Sequence, residues 1–418
     1  MSQTVLPPVG QRLDRPAPVA PQDRASVNSA GRLEFLDALR GLSALAVAAH
    51  HAFANVYPAY GNWSGTYFAT GTFGVVAFFV CSGFIIPASL ERQGSLRRFW
   101  ISRFFRLYPL YWVCLIACAV LVAYRPVFAL GRGNTGYQWW LEATMVSGSL
   151  GGHSLAVRPA WTLLFEMFFY VLCSYLFVIG AHRRSVASAG VATGVALAVG
   201  VLIPGNAVTG GSGYWWLLWP AGAALTAGLA WRYAPSRLSL RVTALLLGPL
   251  LVFLLLNRNG PWFLVAYFLG VMFLGTAYYR WTRGEVRGRT VAWLTVGVCV
   301  AGVVGNSLYS ERGPAWFGEA TAIIAGVLFF CVMLLQRHRR FPRVLTYLGT
   351  VSYSVYLVHM VVYYAIQPLE SQPLTVTVWL GAGLAASLAT YYLVEKPGQR
   401  LGRWVARRWV PRSVRAAR

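Results

Sequence analysis

The sequence predicts an all-α fold, a polytopic integral membrane helical bundle of about ten to twelve transmembrane helices with both termini in the cytoplasm. Three observations predict it. The 418 residues are 57% hydrophobic and 11% charged, too few polar side chains to cover a soluble domain of that size. Apolar stretches long enough to cross a hydrocarbon core of roughly 30 Å recur along the chain. The charge is lopsided, with 36 Lys and Arg against 12 Asp and Glu and a net charge of +24, and the arginines sit in short clusters between those stretches. A nucleic-acid binder would gather such an excess on a polar domain, so nucleic acid is excluded as a partner, and a soluble enzyme is excluded with it.

Twelve spans are predicted, near 36–57, 68–90, 104–124, 161–180, 186–203, 214–231, 242–256, 261–279, 291–307, 317–335, 345–366 and 375–394. Each is helical because lipid offers the backbone no hydrogen-bond partner. The run starting near Val242 is short, and Trp139 to Leu150 reads either as loop or as a re-entrant or interfacial helix. Counting from a cytoplasmic N-terminus leaves only Arg125, Arg132, Arg158, Arg258 and Arg312 outside, as expected of a multi-pass protein of the cell inner membrane. Residues 1–33, rich in Pro, Ala, Gln and Arg, are expected to form a disordered cytoplasmic tail, 34–395 the membrane domain and 396–418 a basic cytoplasmic tail. No cleavable signal peptide is expected ahead of the first span. The outside loop from Tyr124 to Ala160 carries Trp139, Trp140, Glu142 and His153. The six cysteines lie in or near apolar spans and read as buried thiols, and no metal site is expected.

Polar residues inside membrane helices are costly, so each is a candidate for function. The first span holds Asp37 and Arg40 followed by His50 and His51. Arg40 and His51 are eleven residues apart, which puts them on one face and about 16 Å apart along the axis. That spacing suits an anion held at one end and a proton moved at the other; a snorkelling arginine and a satisfied histidine account for it equally well. Arg103 and Arg106, at i and i+3 where a helix opens at the membrane surface, suit a phosphate clamp or a contact with anionic lipid. Glu166, the acidic residue well inside an apolar span, requires protonation or a partner, with Arg or His expected. Ser82 lies between Gly74 and Phe84 with no nucleophile elbow around it. Ser352, Tyr356 and His359 share a face, with Tyr353 adjacent, and could line a cavity or a hydrogen-bonded helix seam.

Leu36-Asp37, Leu39-Arg40-Gly41 with His51, the run Gly74 to Phe84, Arg103 to Pro109, Trp161 to Glu166, Phe268 to Gly270, Ser352 to His359 and Val394 to Pro397 occur in an order that resembles the acyltransferase 3 family of integral membrane acyltransferases. The resemblance covers nearly all of the membrane region and departs from the family pattern at Thr162, where Ser is frequent. It implies transfer of an acyl group, often acetyl, from acyl-CoA to a hydroxyl of a saccharide or glycosylated acceptor, with acetyl-CoA as a donor substrate and no permanently bound cofactor. It implies His51 as the catalytic histidine, Arg40 as its motif partner and Arg103 and Arg106 for the donor's phosphates, with Ser82 on the donor side. Glu166, Asp37, Trp161, Tyr353 and His359 match further motif or cavity positions. The alternative from another class is a twelve-helix secondary transporter or flippase of an envelope glycan or small molecule.

Overall fold

The computed structural model describes residues 33–124, 136–149, 156–202, 215–256, 262–309 and 316–409. Among these the regular structure is helical, with no strand. In chain order the helices are α1 (Glu34–Val56), α2 (Pro58–Tyr67), α3 (Thr70–Gln93), α4 (Leu96–Tyr124), α5 (Gly136–Ala143), α6 (Trp161–Val178), α7 (Ser185–Leu202) and α8 (Trp215–Tyr233). They continue with α9 (Leu238–Leu256), α10 (Trp262–Thr282), α11 (Gly288–Tyr309), α12 (Trp316–Leu335), α13 (Arg343–Ala365), α14 (Gln372–Thr390) and α15 (Lys396–Trp409). A π turn over Tyr391–Glu395 joins α14 to α15.

Each of the twelve predicted spans coincides with a helix over its described residues. Among the described residues, nine helical segments are long and apolar enough to cross a membrane: α3, α4, α6, α9 to α13 and the continuous α14–α15 rod. Helix α1 is 23 residues long, but Glu34, Asp37, Arg40, His50 and His51 dilute its apolar character. The short run at Val242 starts earlier than read, at Leu238, because Leu238 to Arg241 adds a full turn before the apolar stretch. The stretch after Trp139 is neither a span nor plain loop: α5 is followed by a 3-10 turn at Ser147–Ser149. His153 lies outside the described residues, as do 1–32 and 410–418. The basic segment beginning at Lys396 is a helix through Trp409.

Local chemistry sets the breaks nearest the site. Tyr57 precedes Pro58 and takes an extended conformation (φ −116°, ψ 95°), which ends α1 and lets the proline start α2. Gly94 ends α3 in the left-handed region (φ 60°), its N–H donating to the Leu90 carbonyl.

The centre of the bundle is α1, α3, α10 and α13, brought together by missing side chains. A Cβ on Gly41 would stand 2.7 Å from the Gly349 nitrogen, and one on Gly349 would fall on the Asp37 carbonyl oxygen, so α1 and α13 touch backbone to backbone. Gly83 of α3 and Gly275 of α10 make the same kind of contact, and Thr276 Oγ1 donates to the Gly83 carbonyl over 2.9 Å. The result is a rigid frame in which one face of α1 looks at α3 and another at α13.

Candidate active site

A narrow cavity of about 80 Å³ lies between α1, α3, α4, α6 and α13. Of the candidates read from sequence, Arg40, Ser82, Arg103, Arg106, Glu166 and Tyr353 line it. Phe78, Phe79, Cys81, Thr162 and Tyr356 complete much of the wall. Arg103 is only 8% exposed, and its guanidinium carbon stands 5.4 Å from the ring centre of Phe99 and 5.5 Å from that of Tyr170. Among the described residues its buried Nε has no hydrogen-bond partner. A buried cationic donor with spare hydrogen-bonding capacity is what an incoming anion would satisfy. Three guanidinium groups on one cavity give it a strongly cationic wall.

Among the described residues Glu166 shares the cavity with the arginines but has no Arg or His hydrogen-bond partner of the kind expected. Tyr170, one turn along the same helix, donates its hydroxyl to Glu166 Oε1 over 2.6 Å, which serves the carboxylate locally and leaves the arginines facing the cavity. Tyr353 reaches across to α4 and donates to the Leu107 carbonyl over 2.7 Å, fixing the arginine-bearing turn of α4 against α13.

His51 and His359 do not line the cavity; they form a pair beside it. His51 Nδ1 is 3.0 Å from His359 Nε2, and His359 Nδ1 is 2.8 Å from the Val355 carbonyl oxygen. A carbonyl only accepts, so with both rings neutral His359 carries its proton on Nδ1 and presents a lone pair at Nε2. His51 must then donate from Nδ1, and the lone pair of its Nε2 is left for other work. The ring of Tyr356, a cavity residue, is 6.3 Å from that of His359 and links the pair to the cavity end at Thr162, whose hydroxyl is 2.8 Å from Tyr356 Oη.

Two of the remaining candidates sit elsewhere. Asp37 lines a second, wider recess at the N-terminal end of α1. Trp161 packs its ring 5.8 Å from Phe165 and 6.0 Å from Phe268 as part of the apolar frame. Among the described residues no three His, Cys, Asp or Glu side chains gather as metal ligands.

Two carboxylates in segments named from the sequence were given no role there. Glu395, the carboxylate of the closing motif, is buried at the end of the π turn, accepting from Ser354 Oγ over 2.7 Å and from Gln399 Nε2 over 3.0 Å, with Arg106 and Arg40 in electrostatic reach. One extra residue in a helical turn changes which side chain faces inward and leaves no mark in composition. The second is Glu142, buried on α5 with Oε2 accepting the Ala156 N–H over 3.3 Å. Burial pushes its carboxyl up to about 7, against the pull of that hydrogen bond.

A family model described as an acyltransferase domain, that of the acyltransferase 3 family, matches residues 33–395. Acyltransferase MdmB of Streptomyces mycarofaciens is 29% identical over 153 residues, covering 34% of this chain and 38% of that relative. No solved structure matches.

Proposed function

Since the chain belongs to the acyltransferase 3 family, we propose that this polytopic membrane acyltransferase moves an acyl group, acetyl in the simplest case, from acyl-CoA to a hydroxyl of a saccharide or glycosylated acceptor. His51 is the general base. The observation that carries the reading is the hydrogen-bond series Val355 carbonyl, His359, His51, which fixes one tautomer and leaves His51 Nε2 able to accept a proton.

The donor enters from the cytoplasmic side of the inner membrane, its phosphates on Arg40, Arg103 and Arg106, and its thioester lies toward Thr162 and Tyr356. His51 Nε2 takes the proton of the acceptor hydroxyl as that oxygen attacks the thioester carbonyl carbon. The tetrahedral intermediate collapses, the carbon–sulfur bond breaks, and the proton passes from His51 to the departing thiolate. The products are the acyl ester and free CoA thiol, with His51 returned to its starting state.

The test is thiol release from acetyl-CoA by membranes carrying the wild-type protein or His51→Ala. Release by wild type and none by the variant is expected; wild-type rates in the variant overturn the base role. Mass spectrometry of envelope and secreted glycans from cells with and without the protein then locates the new ester. Solute uptake into proteoliposomes without acyl-CoA would favour transport instead.

A further inference from the structure

The recess at the N-terminal end of α1 has a volume of about 610 Å³, within the range of small-molecule sites. Its wall includes Asp37, Glu91, Arg92, Arg183, Tyr279 and Arg283. Ile85 belongs to the walls of both this recess and the narrow cavity, so the two chambers adjoin along α3. From Val75 to Arg92 the helix rises about 25 Å. The inner chamber admits a thin chain and the outer one a bulky group.

A fourth, buried arginine ties together the segments that carry the three arginines of the outer chamber. Arg280 bonds Glu91, Glu285 and the His182 carbonyl, tying α3, the α10–α11 turn and the α6–α7 turn together. Each tie lies next to an arginine of the recess: Arg92 follows Glu91, Arg183 follows His182, and Arg283 donates from Nε to Glu285 over 2.7 Å. Tyr279 lies beneath Arg283, with the guanidinium carbon 5.7 Å from the ring centre. Four guanidinium groups thus meet three carboxylates, Asp37, Glu91 and Glu285, and both Glu91 and Glu285 are already bound by Arg280 or Arg283.

We infer that this outer chamber is the seat of the phosphorylated nucleotide end of the acyl donor, with Arg92 and Arg183 on a phosphate monoester and Tyr279 beside the base. The inference rests on the acyl-CoA reading above. It divides the donor between two sites: the inner arginines hold the diphosphate of the arm, and the outer ones discriminate the terminal phosphate on the ribose. Guanidinium pairs suit that group because they bind phosphate bidentately. The same chemistry would accept an anionic lipid headgroup.

The experiment measures binding of CoA and of 3′-dephospho-CoA to the full chain in nanodiscs, zwitterionic or containing phosphatidylglycerol. Wild type is expected to bind CoA about tenfold or more tightly than the dephospho form, in line with one charge-assisted contact, in both kinds of disc. The Arg92→Ala/Arg183→Ala double variant should lose that preference while holding the dephospho form as wild type does. The inference is overturned if wild type binds both ligands equally, if the preference survives in the double variant, or if the variant loses both ligands together. A preference that vanishes in phosphatidylglycerol discs overturns it in favour of lipid phosphate. Failure of wild type to bind either ligand removes the acyl-CoA reading itself.

Discussion

His51 Nδ1 lies 3.0 Å from His359 Nε2, joining residues separated by 308 positions in the chain. On the proposed mechanism His359 stands to His51 as an orienting group stands to a base: with both rings neutral it holds the ring and fixes which nitrogen carries the proton. Here the orienter is a neutral ring anchored on a backbone carbonyl, so the pair brings no charge into the membrane interior.

His359→Leu should therefore lower kcat about 10²-fold or more, approaching the loss for His51→Ala, with donor KM unchanged. His359→Gln keeps an acceptor for the His51 Nδ1–H and should retain most of what the leucine variant loses. Steady-state kinetics of the three variants checks the order; equal losses for leucine and glutamine would remove the tautomer role.

Arg103→Ala takes away a buried cation with a spare Nε–H and should raise donor KM about 10- to 100-fold, the worth of a charged hydrogen bond. Arg103→Lys should recover little, because an ammonium cannot reproduce the planar stacking between Phe99 and Tyr170. Donor titrations at saturating acceptor read both.

Gly349→Ala places a methyl group on the Asp37 carbonyl oxygen and must push α13 away from α1. Overpacking of this kind costs about 1–3 kcal/mol or more, and here it also parts His359 from His51. Loss of both thermal stability and activity is expected, whereas Gly297→Ala, where an added Cβ meets open space, should change neither.

Glu142 has its carboxyl raised to about 7 by burial, against an ordinary value of 4.5. Between those values the folded protein binds more protons than the unfolded chain, so stability falls as pH rises from 4.5 to 7 and levels off above. The melting temperature should decline over that window by several degrees, on the order of 2–4 °C per kcal/mol. Glu142→Gln should flatten the decline, measured by thermal unfolding in detergent at pH 5, 6, 7 and 8.

The helices were legible because an apolar run of about 20 residues has one solution in lipid. Arg40 and Glu166 were legible as candidates because each is expensive inside a span, and Arg103 and Arg106 because their i, i+3 spacing suits a phosphate clamp; all four meet in one cavity. What the sequence hid is convergence. Arg92, Arg183 and Arg283 looked like orientation signals, since their clusters say which side of the membrane they occupy and not which of them meet. Tyr170 was invisible as the partner of Glu166 because a tyrosine in an apolar helix reads as packing. The tautomer of His51 depended on a carbonyl two residues removed in the network, which no spacing encodes.

The backbone contact of α1 with α13 has a consequence for biogenesis. Helix α1 leaves the ribosome first among the described helices, with Asp37, Arg40, His50 and His51 on it, and its counterpart is the last but two. At about 5–20 residues per second, the 308 positions between His51 and His359 take roughly 15–60 s to synthesise. During that interval a polar helix sits in or at the bilayer without the surface built to receive it. The hydrogen bond between His51 and His359 can form only once α13 has been synthesised.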